Sequence, residues 1–237
     1  MKRFLIKSMK KDSENNGIME STAGPVITIS RECGCSSNRI ATKLSKILTG
    51  YSYLSDKNKN NIEWRWFNKE FVQKAADELS LSPDAVKSVF LKEARASLHE
   101  ISTAFSTEKS YDSEDQLVID YMVGFMRDIA VKGHCIIVGR GANLLVSDIP
   151  ASLSIRLQAP LEWRINRIMK ISNMTYPDAR DYVLEIDRQR YLFVEHIAGR
   201  ELNNNDYDII YNYSTLSDDM IVDSIINIMK NKKMIIA

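Results

Sequence analysis

Apolar positions along the chain fall into short β-branched runs alternating with stretches of helical period. After about 23 polar, Lys/Asn/Ser-rich residues without periodicity comes Pro25-Val26-Ile27-Thr28-Ile29, the pattern of a buried strand. A loop of small residues, Ser30 to Ser37, follows. Ile40, Leu44, Ile47 and Leu48 then share one helical face, with a stop expected at Gly50. Ile62 to Phe67 reads as a second strand, and residues 68–104 as helices, the first capped by Asn68 and the next opened by Ser82-Pro83-Asp84. Another helix is expected from Glu114 to Lys132, ending at Gly133.

The clearest strand is Cys135-Ile136-Ile137-Val138, followed at once by Gly139-Arg140-Gly141. Leu153 to Leu157 is a fourth strand and leads through Gln158-Ala159-Pro160 into a basic helix, Leu161 to Ile171. A long helix spans Tyr176 to Ala198, and a fifth strand lies near 207–211. A last helix, capped by Thr215 or Ser217, turns Met220, Ile221, Ile225 and Ile228 inward. Strands alternating with helices predict an α/β fold with a five-stranded parallel sheet covered on both faces. Ligands of such sheets bind beyond the carboxyl ends of the strands, which places the loops after Ile29, Phe67, Val138, Leu157 and Tyr211 on the working edge.

Composition narrows the functions. With 237 residues the chain is one large domain, or one domain carrying an insertion. A net charge of +1 gives no basic field for sequence-independent nucleic-acid binding, and no nucleic-acid partner is expected. No apolar run reaches the roughly 20 residues that span a bilayer. Three cysteines, Cys33, Cys35 and Cys135, form neither a metal pattern nor an even disulfide set. The expected location is the cytoplasm, with no membrane partner and no metal held by a dedicated ligand set.

Three groups of residues carry candidate chemistry. The turn Ser30-Arg31-Glu32-Cys33-Gly34-Cys35-Ser36-Ser37-Asn38-Arg39 joins the first strand to the first helix, where small residues let backbone amides approach phosphate oxygens. It lacks the full signature G-x-x-x-x-G-K-[ST], having one glycine and no lysine before its hydroxyls, so an ordinary capped turn stands beside the phosphate reading. Gly139-Arg140-Gly141 exposes a guanidinium suited to a bidentate grip on phosphate or carboxylate, or is simply a tight turn bearing a surface arginine. Arg164 and Arg167 share a helix face and are followed by Arg180, Arg188, Arg190 and Arg200. These converge on an anion or form a solvated face bridged to Glu162, Glu185 and Asp187.

Taken together, the residues from Pro25 to Glu32 plus Gly34 resemble the opening of the cytidylate kinase-like proteins, a branch of the phosphate-loop nucleoside monophosphate kinases. The likeness extends to Gly139-Arg140-Gly141-Ala142, to the segment from Ala159 to Ile168, to Asp187-Arg188-Gln189-Arg190-Tyr191, and to the close from Tyr207 to Ser217. It covers about 24 to 231 and implies a three-layer P-loop NTPase-type fold over 24–237. Residues 1–23 would be a flexible extension, the helical stretch 68–130 an acceptor-binding insertion, and the segment around Asp187 a lid.

The activity implied is phosphoryl transfer from ATP, with Mg²⁺, to a nucleoside monophosphate such as CMP or dCMP. By the resemblance Gly34, Cys35, Ser36, Ser37, Asn38 and Arg39 wrap the donor phosphates, and Arg140, with Gly141 and Arg31, holds the acceptor. Arg188 and Arg190, with Arg39, neutralise charge on the transferring group. Mg²⁺ is expected on water and phosphates, with Ser36 or Ser37 as a candidate ligand, and nucleotides are the expected partners. Where the family loop carries two glycines this chain has Ser36 and Ser37, side chains that crowd a cradle needing positive φ or donate hydroxyls to it. A nucleotide-binding regulator without turnover is therefore the second reading. A structural protein self-associating as a homodimer through the helical insertion is the third.

Overall fold

The computed structural model describes residues 23–55, 62–68 and 113–235. Among these, five parallel strands form one sheet in the order β2-β3-β1-β4-β5. The strands are β1 (Val26–Arg31), β2 (Arg65–Phe67), β3 (Cys135–Val138), β4 (Ser152–Gln158) and β5 (Ile209–Asn212). The helices are α1 (Ser37–Ser55), α2 (Ser113–Lys132), the short α3 (Ala142–Leu145), α4 (Leu161–Ser172), α5 (Tyr176–Ala198) and α6 (Asp218–Asn231). All five expected strands are present. The helix expected to stop at Gly50 instead runs to Ser55, because a single glycine costs a helix only about 1 kcal/mol and nothing crowds this one. The extension before residue 23 and most of the helical stretch 68–130 lie outside the described residues.

Two-residue alternation splits the strands between two cores. Ile27 and Ile29 of β1, Ile136 and Val138 of β3, and Leu153, Ile155 and Leu157 of β4 pack with Ile40, Leu44 and Leu48 of α1 and Ile221, Val222 and Ile225 of α6. On the other face Val26, Cys135 and Ile137 meet Ile119, Met122 and Met126 of α2 and Phe193 of α5. Helix α2, within the stretch expected as insertion, thus belongs in part to the layer under the sheet. A third cluster, Ile165, Ile168, Ala179 and Val183, seals α4 to α5 and takes in Cys33.

The ends are chemically marked. Thr175 caps α5 by accepting the Asp178 N–H, and Gly199 closes it at φ 67°. Of the two candidates for capping α6, Ser217 does so, accepting the Met220 N–H.

β1 is central, with β3 on one side and β4 on the other, in register from Val26↔Cys135 to Ile29↔Val138 and from Val26↔Ser152 to Arg31↔Leu157. That register brings the turns after β1, β3 and β4 side by side at one end of the sheet. Thr28, which donates to the Ser154 hydroxyl at 3.1 Å, shares a face with Ser154. Arg156, two residues further along β4, continues that face toward the carboxyl edge.

Candidate functional site

A cavity of about 750 Å³ opens at the carboxyl ends of β1, β3 and β4, roofed by α5. Arg31, Arg140, Arg156, Arg164, Arg188 and Arg190 line it, against two carboxylates, Glu32 and Asp187. Its aromatic walls are Tyr182, Tyr191, Phe193 and Tyr207.

Local backbone chemistry builds this concentration. Arg140 sits at φ 60° between Gly139 at 80° and Gly141 at 65°, three consecutive left-handed residues that bend the chain sharply off β3. The guanidinium of Arg140 lies over the Phe193 ring at 5.2 Å and is buried. A Cβ on Gly139 would also come within 2.0 Å of Arg31 Nη1, so a side chain there would push the Arg31 guanidinium from its present place. Gly141 has room around it and serves through conformation alone.

The α5 residues enter from above. Arg190 donates to the Arg31 carbonyl at 3.4 Å and stands 3.8 Å from Asp187. Arg188 pairs with Glu185 at 2.8 Å on the exposed side of the same helix, and this bond together with partial burial sets its ionisation, the bond raising it further above the ordinary arginine value. Arg39 is not brought to this cavity. It lies on the first turn of α1, is drawn toward α6, and pairs with Asp218 at 2.7 Å.

Gly34, Cys35, Ser36, Ser37, Asn38 and Arg39 also lie outside the cavity; of their turn, Ser30, Arg31 and Glu32 line it. Gly34 is the turn's positive-φ residue, at 90°, and its α-carbon faces Arg164, whose Cβ a side chain there would meet at 3.2 Å. Ser36 and Ser37 do not need positive φ, so their side chains do not strain the backbone. Ser37 is buried as the first residue of α1, and Ser36 accepts a hydrogen bond from Arg167 Nη2 at 2.9 Å.

Several loop amides are already engaged. The Cys35 N–H bonds the Glu32 carbonyl at 3.2 Å and the Ser37 N–H bonds the Cys35 carbonyl at 3.0 Å. The Cys33 N–H bonds Asp187 Oδ1 at 2.6 Å. Burial pushes the Cys33 thiol up to about 11 and the Cys35 thiol up to about 12, aided at Cys35 by Glu32, so neither is a thiolate nucleophile at neutral pH.

The sequence pattern underrated Arg164 and missed Arg156. Arg164 and Arg167 share a helix face but divide their work. Arg164 turns inward, is buried, and bonds the Ala159 carbonyl at 2.9 Å and the Asp187 carboxylate, with Glu32 at 3.3 Å. Arg156 stands over the Tyr207 ring at 5.4 Å and 3.7 Å from Glu32. The available signal for Arg156 was a charged residue at an alternate position of an otherwise buried strand.

As for metal, no group of three or more His, Cys, Asp or Glu side chains is placed to hold an ion among the described residues. Ser36, with a guanidinium on its oxygen, is not disposed to ligate a cation. No helix among the described residues is long and apolar enough to cross a membrane.

Among solved structures the chain is similar to an uncharacterised protein from Eubacterium ventriosum, at 18% identity over 87% of this chain and 98% of that one, with a TM-score of 0.61. At that identity the likeness speaks to fold alone. It also aligns with shikimate kinases from Bacteroides thetaiotaomicron (10% identity, 87% and 96% covered, TM-score 0.46) and Acinetobacter baumannii (7%, 91% and 98%, 0.47), scores that support nothing further. Comparison with curated proteins returned no match. The sequence profile of the cytidylate kinase-like family, however, matches residues 26–215, spanning every strand and both arginine-bearing helices of the site, and the chain belongs to that family.

Proposed function

We propose that this protein transfers a phosphoryl group from ATP to a nucleoside monophosphate, with CMP or dCMP as the expected acceptor. Kinase-type phosphoryl transfer is the reaction the family membership supports. The observation that carries the reading further is the convergence of Arg31, Arg140, Arg156, Arg164, Arg188 and Arg190 on one cavity beside the turn after β1. A polyanion is the ligand such a set of donors stabilises, and the aromatic walls suit a nucleobase. Phosphoryl transfer asks a protein mainly for positioning and positive charge, which guanidiniums supply without a covalent side chain.

In this reading Arg31 and Arg140 grip the acceptor phosphate, while Arg188 and Arg190 offset charge on the group in flight. The described residues offer no dedicated Mg²⁺ ligand set, so the ion would arrive on the nucleotide's own phosphates and water. The test is incubation with ATP, Mg²⁺ and each monophosphate in turn. Formation of the diphosphate, fastest with CMP or dCMP, is expected; none above background with any acceptor removes the enzyme.

One observation favours a second reading, a nucleotide-binding regulator without turnover. The amides of Cys33, Cys35 and Ser37 are engaged within the protein, one of them by a carboxylate. That reading predicts a nucleotide-dependent rise in melting temperature with no product formed.

A further inference from the structure

Arg156 and Glu32 face each other on one flank of the cavity without bonding. Arg156 Nη2 stands 3.7 Å from Glu32 Oε1, beyond hydrogen-bond reach. Glu32 is anchored through its other oxygen, which accepts the Ala159 N–H at 3.0 Å and lies 3.3 Å from Arg164 Nε. Arg156 is anchored by its surroundings: its Nε is sealed from solvent with no hydrogen-bond partner, and its guanidinium lies over the Tyr207 ring at 5.4 Å. Even so, 30% of the Arg156 side chain and 22% of that of Glu32 stay exposed, and both residues line the cavity.

The platform under Arg156 is itself fixed. The carbonyl of Asp206, just before Tyr207, accepts Asn143 Nδ2 at 3.3 Å. Asp208, just after it, accepts the Ser154 N–H at 2.7 Å and donates its own N–H to the Ser154 carbonyl at 2.8 Å. Tyr207 is therefore held through both neighbours, and the guanidinium with it. The result is a placed donor and a placed acceptor with a gap between them. An anion drawn to Arg156 would also meet the Glu32 carboxylate. A hydroxyl satisfies both, accepting from the guanidinium and donating to Oε1.

The position of the pair says which hydroxyl. Arg156 is in register with Ser30 on the β4 side of β1, whereas Arg140 follows β3 on the other side. With an acceptor phosphate on Arg31 and Arg140, the sugar is the hydroxyl-bearing part of a nucleotide that extends along the cavity to the β4 flank. We infer that Arg156 and Glu32 read a ribose hydroxyl of the acceptor, Arg156 donating to its oxygen and Glu32 accepting its hydrogen bond. Ribonucleotides are then preferred over deoxyribonucleotides. Placing a nucleotide in the cavity rests on the phosphoryl-transfer reading; the hydroxyl chemistry rests on the pair.

The test measures calorimetric binding of CMP, dCMP and 3′-deoxy-CMP to the full chain, with no ATP present. CMP should bind at least ~10-fold more tightly than one of the two deoxy forms, which lacks a hydroxyl bonded to charged groups on both sides. Arg156→Met, which keeps an unbranched stem on Tyr207 but no donor, should abolish that preference. Damage to the fold alone would weaken all three ligands together and keep the preference. Arg156→Lys, which keeps charge but not the planar fork, should fall between and serves if the methionine variant does not fold. Equal binding of the three by the wild-type protein, no binding of CMP, or an undiminished preference in the variants overturns the inference. The assay with ATP and Mg²⁺ separates this from the transfer reading. Selective CMP binding without diphosphate formation would remove the transfer and leave the ribose contact standing. Diphosphate formation with equal binding of the three ligands would remove the contact and leave the transfer.

Discussion

Asp187 Oδ1 accepts the backbone N–H of Cys33 at 2.6 Å, tying α5 to the turn after β1 across 154 positions of chain. The same carboxylate receives Arg164, whose Nη1 also reaches the Cys33 carbonyl at 3.5 Å. One acidic side chain thus holds both the turn and the buried guanidinium behind it. Removing it in Asp187→Ala leaves a buried charge with Glu32 as its remaining anion, at a cost of about 2–3 kcal/mol. For a chain of this size that is roughly 5–10 °C in melting temperature. Asp187→Asn, which keeps an acceptor for the amide, should lose less. A thermal scan showing no loss for either variant would show that the contact does not hold the turn.

Arg188 and Arg190 separate catalysis from stability. Arg188 is exposed and bound to Glu185 on its own helix, a pairing of at most about 1 kcal/mol, so Arg188→Ala should leave melting nearly unchanged. Arg190 bonds the Arg31 carbonyl from a partly buried position, and Arg190→Ala should lower melting measurably. Both variants should reduce kcat by about 10² if they stabilise the transferring group. Steady-state rates with CMP and ATP check this, and unchanged kcat in both would refute their assignment to the moving phosphoryl group.

β1 and β3 were the most legible strands because their β-branched runs, Val26–Ile29 and Ile136–Val138, are buried on both faces and bounded by glycine or polar turns. Gly139-Arg140-Gly141 was legible for a related reason, since glycines on either side of a charged residue leave few local alternatives. The rest depended on long-range meetings that no local pattern records. Arg164 and Arg167 share one helix face, yet Asp187 takes the first while Trp163 and Tyr213 hold the second. Arg39 follows the loop directly in sequence, but α1 presents it to Asp218 at the head of α6.

Two glycines of similar appearance in the sequence should respond oppositely to substitution. A Cβ on Gly133, at φ 72°, would stand 2.2 Å from the Gly24 α-carbon, a backbone collision that no rotamer relieves. Gly133→Ala should therefore cost about 3 kcal/mol or more, combining left-handed strain with displacement of the chain entering β1. Gly50, inside α1, meets nothing within 4 Å, and Gly50→Ala should add about 0.5–1 kcal/mol through helix propensity. Urea unfolding of the two variants measures both; a stable Gly133→Ala would remove the Gly24 crossing from the account of the fold.

The three thiols predict an alkaline limb in the stability curve. Burial raises Cys33 from 9.0 to about 11, and Cys35 and Cys135 to about 12. Below pH 9 each stays protonated folded or unfolded, and its contribution is fully present. Above that the unfolded chain releases protons that the folded one retains, so stability falls as pH rises, until the folded thiols themselves ionise near 11–12. Each thiol contributes a slope of at most about 1.4 kcal/mol per pH unit across that window. Cys135, buried between β3 and α2, is the clearest case because burial is its one cause. Melting temperatures taken from pH 8 to 11 should decline for the wild-type protein and decline less steeply for Cys135→Ala, whatever that variant loses at pH 7. Equal slopes would mean that the Cys135 thiol does not remain protonated in the folded protein across that range.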